Sequence, residues 1–153
     1  DHWVIMGLPR KTVVVLPYNN NKILMQLRDE KSMIAYPGNW GFFGGSVEPG
    51  EEPIQSARRE LYEEIQYETE EMFLLSINYI VNPDKILLYS FYCPLNIEVE
   101  KINLNEGFDF GLYTLEEIYS KKIFSTKAKK NYPVIDHPII FHILKEIKLL
   151  SNL

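Results

Sequence analysis

A chain of 153 residues with 46% hydrophobic and 24% charged residues has the length and composition of one ordinary globular domain with a single interior. A net charge of −5 argues against a duplex nucleic-acid binder, which needs a basic face. One cysteine, Cys93, excludes an internal disulfide framework and any Cys cluster for zinc or iron–sulfur, and no apolar run nears the roughly 18 residues of a membrane span.

Taken in chain order, Thr12–Leu16 is β-branched and apolar and predicts a buried strand; Lys22–Leu27 predicts its hairpin partner across the turn cluster Tyr18–Asn21. Arg28 to Asn39 reads as a long loop, and Trp40–Gly45 as a brief strand ending in a tight turn. Pro53 to Ile65 is the clearest helix: proline stands in the first turn, and Ile54, Ala57, Leu61 and Ile65 form one apolar stripe. Phe73–Val81 and Lys85–Tyr92 predict two strands joined by the turn Asn82-Pro83-Asp84. Phe108–Tyr113 predicts a short strand, Thr114 with Glu117 a capping box opening a short helix, and Pro138–Leu150 a C-terminal helix. Strands and helices interleave irregularly, so the expected fold is an α/β (α+β) domain, a mixed and mostly antiparallel sheet with helices on both faces, spanning 1–153 as one unit.

Eight of the 21 acidic residues lie between Glu51 and Glu71. On the Pro53–Ile65 helix, Glu60, Glu63 and Glu64 stand at i, i+3 and i+4 and share one face, away from the apolar stripe. Like charges at this spacing destabilise a helix, and no lysine within the helix relieves them, so three unpaired carboxylates call for an external cation. Carboxylate oxygens are hard ligands that suit Mg²⁺ or Mn²⁺. The competing reading is a solvated glutamate-rich face. Gly44-Gly45 just upstream lets the backbone turn tightly and bring carbonyls near that face.

Gly45, five residues, Glu51, seven residues, then Arg59-Glu60-Leu61-Tyr62-Glu63-Glu64 resembles the signature box of the Nudix (MutT-like) hydrolases, G-x5-E-x7-R-E-U-x-E-E-x-G-U. Gln66 and Tyr67 depart from the closing glycine and apolar residue, and Phe43 stands where proline is more usual. The resemblance implies a Nudix-type α/β/α sandwich and Mg²⁺-dependent hydrolysis of a diphosphate linkage in a nucleotide or nucleotide-sugar substrate, Mn²⁺ being a substitute. It implies metal ligation by Glu60, Glu63, Glu64 and the Gly45 carbonyl, with Gly44 and Gly45 also near substrate, and an orienting Glu51–Arg59 ion pair in which Arg59 also holds the glutamates in place. It leaves the general base open among Glu60, Glu98, Glu100, Glu106 and Asp109, with Glu106 favoured among the loop acids. Arg28 and Tyr36 are candidate substrate contacts. Trp40 and Phe42 are expected in the core, and the lysines 121, 122, 127, 129 and 130 in a solvated segment, with a phosphate or RNA contact the lesser reading. His2, His137 and His142 lack metal-ligand spacing. A catalytically silent nucleotide-binding module of the same family is the alternative; the intact glutamates disfavour it. The expected setting is cytoplasmic, with no membrane partner, and self-association is left open.

Overall fold

A computed structural model of the chain describes residues 7–30, 36–104 and 107–151. Among the described residues, nine strands and three helices follow in the order β1 (Arg10–Asn19), β2 (Lys22–Leu27), β3 (Trp40–Gly41), β4 (Phe43–Ser46), α1 (Pro53–Ile65), β5 (Phe73–Ile80), β6 (Ile86–Pro94), β7 (Asp109–Thr114), α2 (Leu115–Tyr119), β8 (Lys122–Ser125), β9 (Lys130–Pro133) and α3 (Pro138–Ser151). A single 3-10 turn spans Val99–Lys101.

Seven strands form one sheet in the order β3-β2-β1-β6-β5, with β4 on β1 and β7 on β2. Of the strand pairs in this sheet among the described residues, β1 and β6 run parallel and the others antiparallel. β1 and β2 pair through Tyr18 and Asn19, then diverge, so that Thr12–Val15 of β1 pairs with β4 while Gln26 and Leu27 of β2 pair with β3. The β3–β4 segment therefore wedges between the two long strands and carries Gly44 and Gly45 to the middle of the sheet.

Side-chain alternation along the strands splits the interior in two. Val13, Val15, Leu24 and Phe43 pack under Ala57, Leu61 and Ile65 of α1. Leu16, Ile23, Met25, Leu27 and Trp40 pack under Ile140, Ile143, Leu144 and Ile147 of α3. Helices thus cover both faces, as the irregular interleaving predicts.

The expected helix bounds of Pro53–Ile65 hold. One expectation is corrected. Trp40–Gly45 is two short strands and not one, because chain passing from β2 to β1 must break at Phe42. The Asn82-Pro83 bond in the β5–β6 turn is cis, and the flanking strands start and stop a residue or two away from expectation. The five lysines after α2 are exposed, as expected of a solvated segment, and that segment forms a β8–β9 hairpin anchored by buried Ile123 and Tyr132. Its strands are only four residues long and lysine-bearing, which hid the alternation. Trp40 and Phe42 are in the core, and the Trp40 indole N–H donates to the Ile123 carbonyl at 3.1 Å, which ties the hairpin to the sheet. Among the described residues, no helix is long and apolar enough to cross a membrane.

Candidate active site

α1 opens with Glu52 as N-cap and Pro53 in the first turn, and Gln55 Oε1 accepts the Glu52 backbone N–H at 2.8 Å. It closes on Gln66, whose φ of 55° is left-handed; its N–H donates to the Tyr62 carbonyl. A residue with a Cβ tolerates this conformation at a cost of about 1 kcal/mol relative to glycine. The departure at Gln66 therefore leaves the helix end in the geometry that glycine would give. Tyr67 is buried; its hydroxyl donates to the Pro94 carbonyl at 2.8 Å and accepts from Asn96 N–H at 3.1 Å, which pins the chain leaving the helix to the end of β6.

Burial of the apolar stripe turns the helix so that its acidic face meets β4. Glu64 is 4% exposed. Its Oε2 accepts the Gly44 N–H at 3.1 Å and its Oε1 accepts Gln26 Nε2 at 3.2 Å, while the same Gln26 amide reaches the Phe42 carbonyl at 3.3 Å. Glu60 lies one turn back, packed on Gly45: a Cβ at Gly45 would overlap the Glu60 carboxylate. A Cβ at Gly44 would overlap the Val13 carbonyl oxygen across the β1–β4 ladder. Glycine at both positions is thus a matter of space, since backbone and carboxylates occupy the volume that a side chain needs.

Arg59 organises the rest. Its Nε and Nη2 donate to the two oxygens of Glu51 at 2.7 and 3.0 Å, a bidentate pair. Nη2 also reaches the Ser46 carbonyl at 3.1 Å, and Nη1 donates to Glu60 Oε1 at 2.9 Å and to Glu63 Oε2 at 3.3 Å. Glu51 in turn accepts the Ser56 hydroxyl at 2.6 Å and the Glu48 N–H at 3.0 Å. The three helix glutamates are therefore not left unpaired in the way that their spacing alone suggests; Arg59 reaches Glu60 and Glu63, the contact that the resemblance implies. Arg59 neutralises part of the charge on Glu60 and Glu63, and Glu64 is held by two N–H donors. Glu63, with its side chain 48% exposed, sits at the rim and not beside Glu64.

Hydrogen bonding from Arg59, seconded by Ser56, holds the Glu51 carboxyl at about 2 against its ordinary 4.5, and Glu51 raises Arg59 further above its own range. A depressed folded-state value means that stability from Glu51 ionisation is complete above pH 4.5 and is lost as pH falls through about 2. Acid denaturation followed by circular dichroism is expected to show this: Glu51→Gln should be less stable than wild type at neutral pH and should lose less of its stability between pH 4.5 and 2. Parallel curves over that range would contradict the Glu51 assignment.

The other expected site residues are more scattered. Arg28 lines a small notch with Leu27, Glu30, Phe108 and Tyr132 at the end of β2. Tyr36 is 40% exposed in its loop and does not line that notch. Glu106 lies outside the described residues. Its neighbour Gly107 comes close to Gln26, with room for a Cβ only 3.1 Å from Gln26 Oε1. Asp109 is occupied structurally, accepting from Ser125 Oγ and from the Phe110 N–H, while Glu98 and Glu100 are exposed at the 3-10 turn. Cys93 is fully buried and its thiol is pushed up to about 12 by burial, so it is no nucleophile. Sequence reasoning missed Gln26. Its signal was available: within β2, Leu24 and Gln26 share the α1 face, so Gln26 is a lone amide at a core position.

Among the described residues no three or more His, Cys, Asp or Glu side chains are grouped so that they alone could hold a metal ion. The donor set still suits a hard divalent cation. Glu60 and Glu64 converge on the Gly44–Gly45 backbone, and Mg²⁺ characteristically takes one or two carboxylates while water and substrate phosphates supply its other positions.

The NUDIX domain model matches residues 8–136, so the chain belongs to the Nudix family. Comparison with curated proteins by sequence finds no match. Among solved structures, a NUDIX hydrolase from Nitrosomonas europaea is similar at a TM-score of 0.69 and 18% identity, covering 94% of this chain and 90% of its own. A MutT protein from Methanosarcina mazei Go1 is similar at a TM-score of 0.68 and 19% identity, covering 94% and 96%. A C. elegans Ap4A hydrolase gives a TM-score of 0.61 at 16% identity, covering 94% and 98%. At these identities the likeness is one of fold.

Proposed function

We propose that the chain hydrolyses a diphosphate linkage in a small nucleotide-derived substrate, with Mg²⁺ held at the face of α1. The observation that carries the reading is the buried Glu64 carboxylate, held by the Gly44 N–H and Gln26 beside a Glu60 packed directly on Gly45. Burial of a carboxylate is unfavourable unless compensating charge and hydrogen bonds surround it, and these two point where a cation and phosphates would meet.

Glu60 and Glu64 would be the principal ligands, with Glu63 and the Gly45 carbonyl as further donors. Held by these residues, Mg²⁺ would supply polarisation of the phosphoryl oxygens and a lower pKa for bound water. Arg59 orients Glu60 and Glu63, and Glu51 orients Arg59. The attacking water gives up its proton to a carboxylate of the site, with Glu60 and Glu106 the candidates. Little covalent work falls to the protein, so positioning and charge carry the rate. Bond cleavage at phosphorus yields two phosphate-bearing products. Mn²⁺ would serve in place of Mg²⁺, since both prefer oxygen donors. The lone, buried Cys93 accords with a reducing, cytoplasmic setting. No feature of the site favours a silent binding module.

The test is product release from a panel of nucleoside triphosphates, ADP-ribose, sugar nucleotides, dinucleoside polyphosphates and RNA cap-like ends, with Mg²⁺ and with EDTA. A C. elegans protein of this fold carries the name Ap4A hydrolase, which puts dinucleoside polyphosphates early in the panel. Cleavage of one class that EDTA abolishes is expected. Cleavage insensitive to EDTA, or none from folded protein, would overturn the reading.

A further inference from the structure

The lysine-rich hairpin has no part in the chemistry at α1. Residues 121–130 contain five lysines and no acid, in a protein of net charge −5. The fold does not leave these lysines at random. Lys127 Nζ donates to the Phe108 carbonyl at 2.8 Å and lies 4.7 Å from the centre of the Phe108 ring. Lys130 Nζ lies 5.0 Å from the centre of the Tyr132 ring and 3.5 Å from Glu30. Phe108, Tyr132 and Glu30, with Leu27 and Arg28, line the notch at the end of β2. Both ammonium groups therefore stand at its rim.

The notch is joined to the catalytic face contact by contact. Phe108 N–H donates to the Leu27 carbonyl at 2.8 Å, Gly107 abuts Gln26, and Gln26 donates to Glu64. At about 80 Å³ the notch is well below the ~300 Å³ at which ligand pockets begin, so it does not hold a nucleoside. Its rim offers positive charge instead. Each ammonium has three N–H donors, and for Lys127 the Phe108 carbonyl takes one. The Lys130–Glu30 pair is more than half exposed on both sides, a weak bond that a phosphate readily replaces. Contact with an aromatic face limits where each ammonium wanders and so reduces the ordering cost of binding an anion.

We propose that the β8–β9 hairpin is a phosphate subsite, in which Lys127 and Lys130 take phosphate groups of the substrate beyond the bond that is cleaved. The proposal rests on the hydrolase reading and narrows its substrate class. Nucleotides with a phosphate chain extending past the scissile linkage are favoured over sugar-linked diphosphates, which present no anion there.

Calorimetric titration of the full chain with inorganic tripolyphosphate and with pyrophosphate, both with Ca²⁺, tests this without turnover. Wild type is expected to bind tripolyphosphate about tenfold more tightly than pyrophosphate. The Lys127→Ala/Lys130→Ala variant should lose that preference and show a shallower dependence of tripolyphosphate affinity on salt. Lys122→Ala, at the far end of the hairpin, should behave as wild type. Equal affinity of wild type for the two anions, no binding of tripolyphosphate, or an unchanged preference in the double variant would overturn the proposal. Failure of the substrate panel would overturn the hydrolase reading while leaving these affinities standing, so the two are separable.

Discussion

Glu64→Gln is expected to lower turnover by about three orders of magnitude, or ~4 kcal/mol of barrier, while the protein stays folded. The substitution is nearly isosteric and removes a charge from a position that is 4% exposed. Gly44 N–H can still donate to the amide oxygen, and the Gln26 amide can rotate to present its own oxygen to the new NH₂ group, at the cost of its contact with the Phe42 carbonyl. The stability change is then about 1 kcal/mol in either direction, since one hydrogen bond is rearranged and a buried charge is removed. Catalysis has no such substitute, because a neutral amide is a poor ligand for Mg²⁺. Steady-state kinetics on the substrate identified, with thermal unfolding alongside, checks both halves. Wild-type turnover by the Glu64→Gln variant would remove Glu64 from the site.

Arg59→Ala should affect stability and activity together. Arg59 donates to Glu51, Glu60, Glu63 and the Ser46 carbonyl, and the Arg59 and Glu51 side chains are 24% and 20% exposed. Its removal leaves Glu51 partly buried without its cation and sets three carboxylates against one another. Breaking a fully buried pair costs about 3–5 kcal/mol; partial exposure reduces this to about 2 kcal/mol, which lowers Tm by about 4–8 °C. Turnover should fall about a hundredfold, since Glu60 loses the donor that fixes its carboxylate and a small misplacement of a positioned group is enough for that loss. Arg59→Lys should recover little, because an ammonium cannot make the two-pronged contact with Glu51. Full rescue by lysine would mean that charge alone, and not the planar fork, is what the site needs.

The separation between what could and could not be read from the sequence follows from the range of the interactions involved. The α1 helix was legible because proline placement and the Ile54–Ala57–Leu61–Ile65 stripe are local, and the carboxylate spacing is a property of one helix. The ion pair between Glu51 and Arg59 was legible only through the resemblance of the whole box. The contact of Arg59 with Glu60 and Glu63, local to one helix, was likewise implied by the box, but how Glu64 is held was not legible: it finds its donors on β2 and β4, at separations of 38 and 20 residues. Gln26 and the hairpin escaped for the same reason. A single amide in KILMQL and two four-residue strands acquire meaning only when the sheet brings β2, β7 and β8–β9 together.

The proposed reaction depends on Glu60 and Glu64 holding a divalent cation on the face of α1. Titration of Mn²⁺ into wild type and Glu64→Gln, followed by the loss of free-ion electron paramagnetic resonance, tests this without knowledge of the substrate. Wild type is expected to show a Mn²⁺ site that Mg²⁺ displaces and that weakens by about tenfold or more in the variant, which has lost one of its anionic ligands. Equal Mn²⁺ occupancy in the two proteins would contradict it.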